Sequence, residues 1–237
     1  MSSAKAWYLI AYNGLSASAW FSLLLQILIS LSEYGYTSTY TKVGIYVQWV
    51  QTLAVLEILH SVTGIVRAPL FTTLMQVASR LFLVHGIVAQ FPQEAAIENP
   101  FYTSMLLAWS VTEAVRYNFF VRTLSAQIGG REMSRDDGVD ALLTWLRYNT
   151  FFVLYPVGIG SEIMCIWRAM GGMKSLARGN VGTSEDGMYG LAWWGCVIVL
   201  CVYVPGSWIL YTYMMAQRRK VAKGDSSANK KRSKKIR

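Results

Sequence analysis

Leu146-Arg147-Tyr148-Asn149-Thr150-Phe151-Phe152-Val153-Leu154-Tyr155-Pro156-Val157-Gly158-Ile159-Gly160-Ser161-Glu162 is the stretch whose reading decides the fold. From Phe151 to Trp167 no base occurs, and the only carboxylate is Glu162. A bilayer core takes a helix of about 20 predominantly apolar residues, so this run reads as membrane-spanning. A carboxylate there costs roughly 2.5–3.5 kcal/mol at a helix centre and marks a functional site by default. Tyr155 shares its face: seven residues turn an ideal helix to within about 20° and advance it roughly 10 Å. That rise is too long for both groups to reach adjacent substrate atoms unless the helix deforms or a neighbouring span helps. Pro156 removes a donor and clashes with the carbonyl of Phe152, so a kink is expected, while Gly158 and Gly160 permit close approach. An ordinary Pro-kinked span with an interfacial Tyr is the competing reading. The conjunction of phenol, kink, glycines and carboxylate favours a site.

The rest of the chain agrees with a membrane setting. Of 237 residues, 54% are hydrophobic and 15% charged, against about 25% charged in soluble domains. The net charge of +9 is a property of the end of the chain. Ten of the 22 Lys and Arg lie in residues 218–237 with one acid, so the remainder holds twelve of each sign. This localisation, with no aromatic-interleaved basic face, argues against nucleic-acid binding. Residues 1–217 read as one spanning domain and 218–237 as a basic, disordered cytosolic tail. Cys165, Cys196 and Cys201 sit in apolar segments without a CxxC pair and read as buried inert thiols. The apolar run Trp7–Leu31 is too long for a signal-peptide core and reads as a retained span.

The fold class is an all-α integral membrane protein, a bundle of about six transmembrane helices with the site inside it. The spans fall near 7–31, 43–65, 70–91, 101–123, 144–168 and 188–215. Loop 92–100 holds Glu94 and Glu98 and no base, whereas loop 124–143 holds Arg131 and Arg135. With the basic tail, this places both termini in the cytosol by the positive-inside rule. Loop 169–187, with Lys174 and Arg178, runs against it.

Several spans carry ionisable residues at helical spacing. Glu57 and His60 are i,i+3, Gln76 and Arg80 are i,i+4, and Trp109, Glu113, Arg116 and Phe120 form one stripe. With Arg147 and Glu162, three acids face three bases, and lipid cannot solvate them, so the stripes should point inward. Interhelical pairs that merely fix the bundle would explain any one of them. Buried ion pairs seldom add net stability over apolar packing, so the ensemble points to a use.

Two histidines, His60 and His85, are too few for a histidine-box metal site. No GxGxxG opens a helix after a strand and no GxSxG is present. The segment His60-Ser61-Val62-Thr63-Gly64-Ile65-Val66-Arg67 mimics a tyrosine-phosphatase loop, with Ser61 where the nucleophilic Cys belongs. Serine supplies no low-pKa thiolate, which excludes that chemistry.

Together Leu56-Glu57-Ile58-Leu59-His60-Ser61 with Gly64 and Arg67, Gln76-Val77-Ala78-Ser79-Arg80, Trp109-Ser110 with Glu113 and Arg116-Tyr117, and Leu146-Arg147-Tyr148 through Tyr155-Pro156-Val157-Gly158 to Glu162 resemble the very-long-chain (3R)-3-hydroxyacyl-CoA dehydratases. This family of the endoplasmic reticulum was once called protein-tyrosine-phosphatase-like. The resemblance implies a hydro-lyase of fatty-acid elongation that needs no metal or cofactor, with Tyr155 and Glu162 as the catalytic pair. It also implies an acyl-CoA substrate and, as partners, the condensing enzyme and reductases of the same cycle. The residues themselves do not order the pair as acid and base. Arg147 is expected near the cytosolic entrance, where it can meet CoA phosphates. Arg80, Arg116, Glu57, Glu113, Gln76 and Gly158 are expected to hold or shape the pocket. The terminal Lys234-Lys235-Ile236-Arg237 looks like a cytosolic dilysine retrieval address, consistent with the endoplasmic reticulum. The rival reading is a non-enzymatic scaffold or a transporter using the buried charges as a relay. A transporter often shows broken helices in both halves, and only one break is evident.

Overall fold

A computed structural model describes residues 3–133, 137–179 and 184–235. Among them the regular structure is all helical, with no strand. Helix α1 (Ser3–Tyr34) buries Leu9, Asn13, Ala17, Trp20, Leu23, Ile27 and Ser30 along one stripe, the three-to-four spacing of an amphipathic face. Gly35, at φ 77°, turns the chain into a short 3₁₀ segment, Tyr36–Ser38. Helices α2 (Thr39–Leu53) and α3 (Val55–Val62) follow, separated only at Ala54. Gly64, at φ 67°, lies just beyond the C-cap Thr63 of α3, the left-handed position that favours glycine. Helix α4 (Leu70–Leu81) leads into two π-helical segments, Phe82–Val88 and Gln93–Ile97.

Helix α5 (Pro100–Ile128) opens on a well-formed cap: the Asn99 side chain accepts from Phe101 N at 3.1 Å, and Pro100 takes the first turn, where no amide donor is needed. It is the axis of the bundle, packed along α1 on one side and α7 (Phe151–Gly179) on the other. Helix α6 (Gly138–Asn149) is capped by Asp137. Helix α8 (Ser184–Lys235) lies outermost, against α7 and, near its far end, α6, with almost none of its apolar stretch buried inside the protein.

Five helical segments are long and apolar enough to cross a bilayer: Ser3–Tyr34, Tyr36–Val62, Leu70–Val88, Phe151–Ala177 and Gly187–Arg219. The span expected at 101–123 exists as α5 but does not reach that apolarity, because it carries Glu113, Arg116, Asn118 and Arg122. Its neighbours enclose those groups, so it need not be apolar all round. The fifth span is also displaced. It begins at Phe151 rather than 144, because α6 ends at Asn149 with Thr150 as its C-cap. Arg147 therefore stands on α6, off the spanning helix.

Helical backbone continues in α8 to Lys235, across the segment expected to be disordered. Lys and Arg, which dominate the segment, are good helix formers, and propagation from an existing helix is easy. Ile236 and Arg237 of the dilysine-like end lie outside the described residues. Cys165 and Cys196 are buried, but Cys201 is exposed on the outer face of α8, contrary to the expectation for all three.

Candidate active site

The charged stripes of α3, α4 and α5 converge into one chain of ion pairs. Glu57, in the first turn of α3, takes both terminal nitrogens of Arg116, at 2.7 and 3.0 Å. The bidentate geometry fits the guanidinium fork. Arg116 Nε reaches Glu113 Oε2 at 2.6 Å, one turn earlier on α5, and Glu113 Oε1 accepts from Arg80 of α4 at 2.5 Å. Tyr117 adds its hydroxyl to Glu57. Glu113 is the most enclosed member, 3% exposed, and has an arginine on each oxygen.

Arg80 carries this network to the other half of the site. Its guanidinium carbon lies 5.0 Å from the centroid of the Trp109 ring, within cation–π range. On its other side Trp109 donates its indole N–H to Glu162 Oε1 at 2.9 Å. Oε2 of Glu162 accepts from the hydroxyl of Tyr203, on α8, also at 2.9 Å. Glu162 thus receives one neutral donor on each oxygen and stands one side chain away from the arginines.

Tyr155 is placed differently. Its hydroxyl donates to the backbone carbonyl of Ser207 at 3.0 Å, and its ring lies 5.9 Å from that of Tyr211. It lines an apolar groove of about 640 Å³ between α7 and α8, with Pro156, Ile159, Val204, Pro205 and Trp208. The two α7 residues therefore both bond to α8, in opposite order along the chain: 155 with 207 and 162 with 203. Antiparallel neighbours must pair in that order. A neighbouring span thus bonds to both groups.

Gly158 is buried, and a Cβ there would meet the Cβ of Ala108 at 3.8 Å, so α7 and α5 approach closely one turn before Glu162. Gly160 faces open space. Gln76 does not join the site. It is exposed, and Val77, the next residue, is the one α4 buries. Arg147 is also apart from the ion chain: its guanidinium lies over Phe119 and Phe120, 4.6 and 4.8 Å from their centroids, with no carboxylate bonded to it among the described residues. Ser61, the decoy nucleophile, donates its hydroxyl to Ala68 O at 3.0 Å, and His60 is bonded to the Tyr8 hydroxyl at 2.8 Å. Nothing there activates a nucleophile. Among the described residues no group of three or more His, Cys, Asp or Glu side chains could hold a metal.

Tyr203 escaped sequence reasoning. It sits in an apolar run, 41 positions from Glu162, and only its being a phenol inside a span two residues before Pro205 hinted at a role. Trp109 was visible as part of a stripe but not as a carboxylate donor.

Among known proteins, the chain is 40% identical over 221 residues to a probable very-long-chain (3R)-3-hydroxyacyl-CoA dehydratase of Schizosaccharomyces pombe, covering 92% of this chain and 94% of that one. It is 37% identical over 220 residues to the very-long-chain (3R)-3-hydroxyacyl-CoA dehydratase PASTICCINO 2 of Arabidopsis thaliana, covering 90% and 91%. Identity to very-long-chain (3R)-3-hydroxyacyl-CoA dehydratase 2 of Homo sapiens is 27% over 216 residues, covering 90% and 80%. No solved structure matches it. Residues 51–224, which contain every side chain of the ion network and both α7 groups, match the family described as protein tyrosine phosphatase-like protein, PTPLA, and the chain belongs to that family.

Proposed function

We propose that this chain dehydrates very-long-chain (3R)-3-hydroxyacyl-CoA to the trans-2-enoyl-CoA, within fatty-acid elongation at the endoplasmic reticulum membrane. The observation that carries the reading is Glu162: a carboxylate on a spanning helix, with a fixed donor on each oxygen and its phenol partner Tyr155 on the same helix. The names of the relatives supply the reaction.

Glu162 acts as the base. It takes the C2 proton, and the C2–H electron pair becomes the C2–C3 double bond. The C3–O bond breaks as Tyr155 gives its phenolic proton to the departing hydroxyl, which leaves as water. Glu162 then gives its proton to solvent water and the Tyr155 phenolate takes one back from it, so the cycle closes without a cofactor. A carboxylate deprived of water is a competent base, and a positioned acid contributes typically 10²–10⁴-fold. The Tyr155 hydroxyl exchanges the Ser207 carbonyl for the leaving oxygen when substrate fills the α7–α8 groove. Arg147, on α6 and free of a carboxylate partner among the described residues, receives a CoA phosphate. Arg80, Arg116, Glu113 and Glu57 hold α3, α4 and α5 in register behind Trp109. Both termini face the cytosol, where the Lys234-Lys235 end is read by retrieval machinery, and the other enzymes of the cycle are the partners.

The test is direct. Purified protein in lipid nanodiscs is incubated with a very-long-chain (3R)-3-hydroxyacyl-CoA, and the product is followed by mass spectrometry. Enoyl-CoA product supports the reading, and a stable, folded protein that forms none overturns it.

A further inference from the structure

Each oxygen of Glu162 has one donor, and the two donors differ in origin. Trp109 comes from α5, the axis of the bundle, and is itself 3% exposed. Its indole is held from above by Arg80. Tyr203 comes from α8, the outermost helix, yet its ring is partly buried against the core and its hydroxyl points inward at Glu162 Oε2. Without this bond the carboxylate would be anchored on one oxygen only and free to rotate about its last torsion, which is broad for sp³–sp² bonds. With both bonds the plane of the carboxylate is fixed, and the remaining lone pairs have one direction in space.

Resting on the dehydratase reading, we infer that Tyr203 is a positioning residue for the reaction. It completes the site from α8 by fixing the plane of the Glu162 carboxylate, so that an unoccupied lone pair faces C2 of the bound acyl chain. The same helix face carries the Ser207 carbonyl, one turn on, which holds Tyr155. Helix α8 is therefore part of the active site rather than a peripheral anchor. The effect acts through Glu162 and on proton removal, so it alters turnover without altering substrate binding.

Tyr203→Phe isolates the hydroxyl, because the ring and its packing remain. The expected result, per folded molecule in nanodiscs, is a kcat lowered roughly 10- to 100-fold, the range of one hydrogen bond to a charged group. KM stays within about twofold, and the isotope effect with C2-deuterated substrate is at or above the wild-type value, since C2–H cleavage is the step slowed. Tyr213→Phe, on the exposed face of α8, serves as control and keeps full turnover. A Tyr203→Phe kcat equal to wild type overturns the inference. So does a loss that only tracks the amount of folded protein, or an isotope effect falling towards unity. Glu162→Gln, assayed in parallel, separates the two levels. If wild type is active and Glu162→Gln is not, the dehydratase reading stands whatever Tyr203→Phe shows. An inactive wild type overturns both, whereas an active Glu162→Gln overturns the role of Glu162 and with it the Tyr203 inference, leaving the dehydratase reading in place.

Discussion

Tyr155 and Glu162 share one face of α7 yet do not bond to each other; α8 takes both, the Tyr155 hydroxyl through Ser207 O at 3.0 Å and the Glu162 carboxylate through the Tyr203 hydroxyl at 2.9 Å. The pair is a two-helix construction, and its consequences can be measured.

Tyr155→Phe removes one bond, to a backbone carbonyl, and keeps the ring in its groove. It should lower turnover roughly 10²- to 10⁴-fold, as expected for a general acid, while destabilising the fold by only about 1 kcal/mol. Glu162→Gln should be equally inactive at near-normal abundance. Steady-state rates with thermal unfolding of the same samples check both halves.

Glu113 separates two arginines. Replacing it with Gln leaves Arg80 and Arg116 without the carboxylate between them, in a place that 3% exposure leaves nearly dry. A loss of about 3 kcal/mol is expected, because Arg80 is left without a carboxylate while Arg116 keeps only Glu57. Glu57→Gln should cost less, since Arg116 retains Glu113. Thermal or denaturant unfolding in one detergent ranks the two.

Gly158 has room for a methyl group and no more, with Ala108 at 3.8 Å from an added Cβ. Gly158→Ala should keep activity and stabilise α7 by about 0.5–1 kcal/mol. Gly158→Leu should push α7 from α5, costing about 1–3 kcal/mol, and draw Glu162 off the Trp109 indole, lowering kcat. The contrast between the two variants is the readout.

Arg147→Ala should raise KM for acyl-CoA roughly tenfold with kcat little changed, since a lost phosphate contact is uniform binding. Raising the ionic strength should raise the wild-type KM in the same direction. A fall in kcat at constant KM would remove Arg147 from the phosphate role.

The cap of α6 should be pH-dependent. The backbone N–H groups of Val139 and Asp140, with Arg122 beside them, hold the Asp137 carboxyl below its ordinary value. A carboxyl depressed in the folded state adds stability above its unfolded pKa, about 3.9, and that stability is lost as pH falls through the folded value. Amide protection in the first turn of α6 should therefore fall below about pH 4, and Asp137→Asn should flatten the dependence.

How much was legible follows from what each signal measures. The stripes Glu57–His60 and Trp109–Glu113–Arg116 could be read because helical spacing is local, and lipid leaves buried charges only the bundle interior. The direction of the Gln76–Arg80 stripe was not legible, because spacing gives a face but not where it points: Gln76 is exposed while its neighbour Val77 is buried. The boundary at Thr150 was missed because the residues on both sides of it are helical, and a break between two successive helices leaves no trace in hydropathy.

Sequence by itself determined that the chain is a helical membrane protein, that its basicity belongs to its end, and that Tyr155 and Glu162 share a face. Those follow from composition and from rise and turn along one helix. Only the tertiary structure decided which groups those two meet. Tyr203 and Ser207 approach them because α8 runs antiparallel to α7, and Arg80 approaches Glu162 through Trp109 because α5 lies between. Contacts between residues tens of positions apart depend on how helices pack, and no local pattern encodes them.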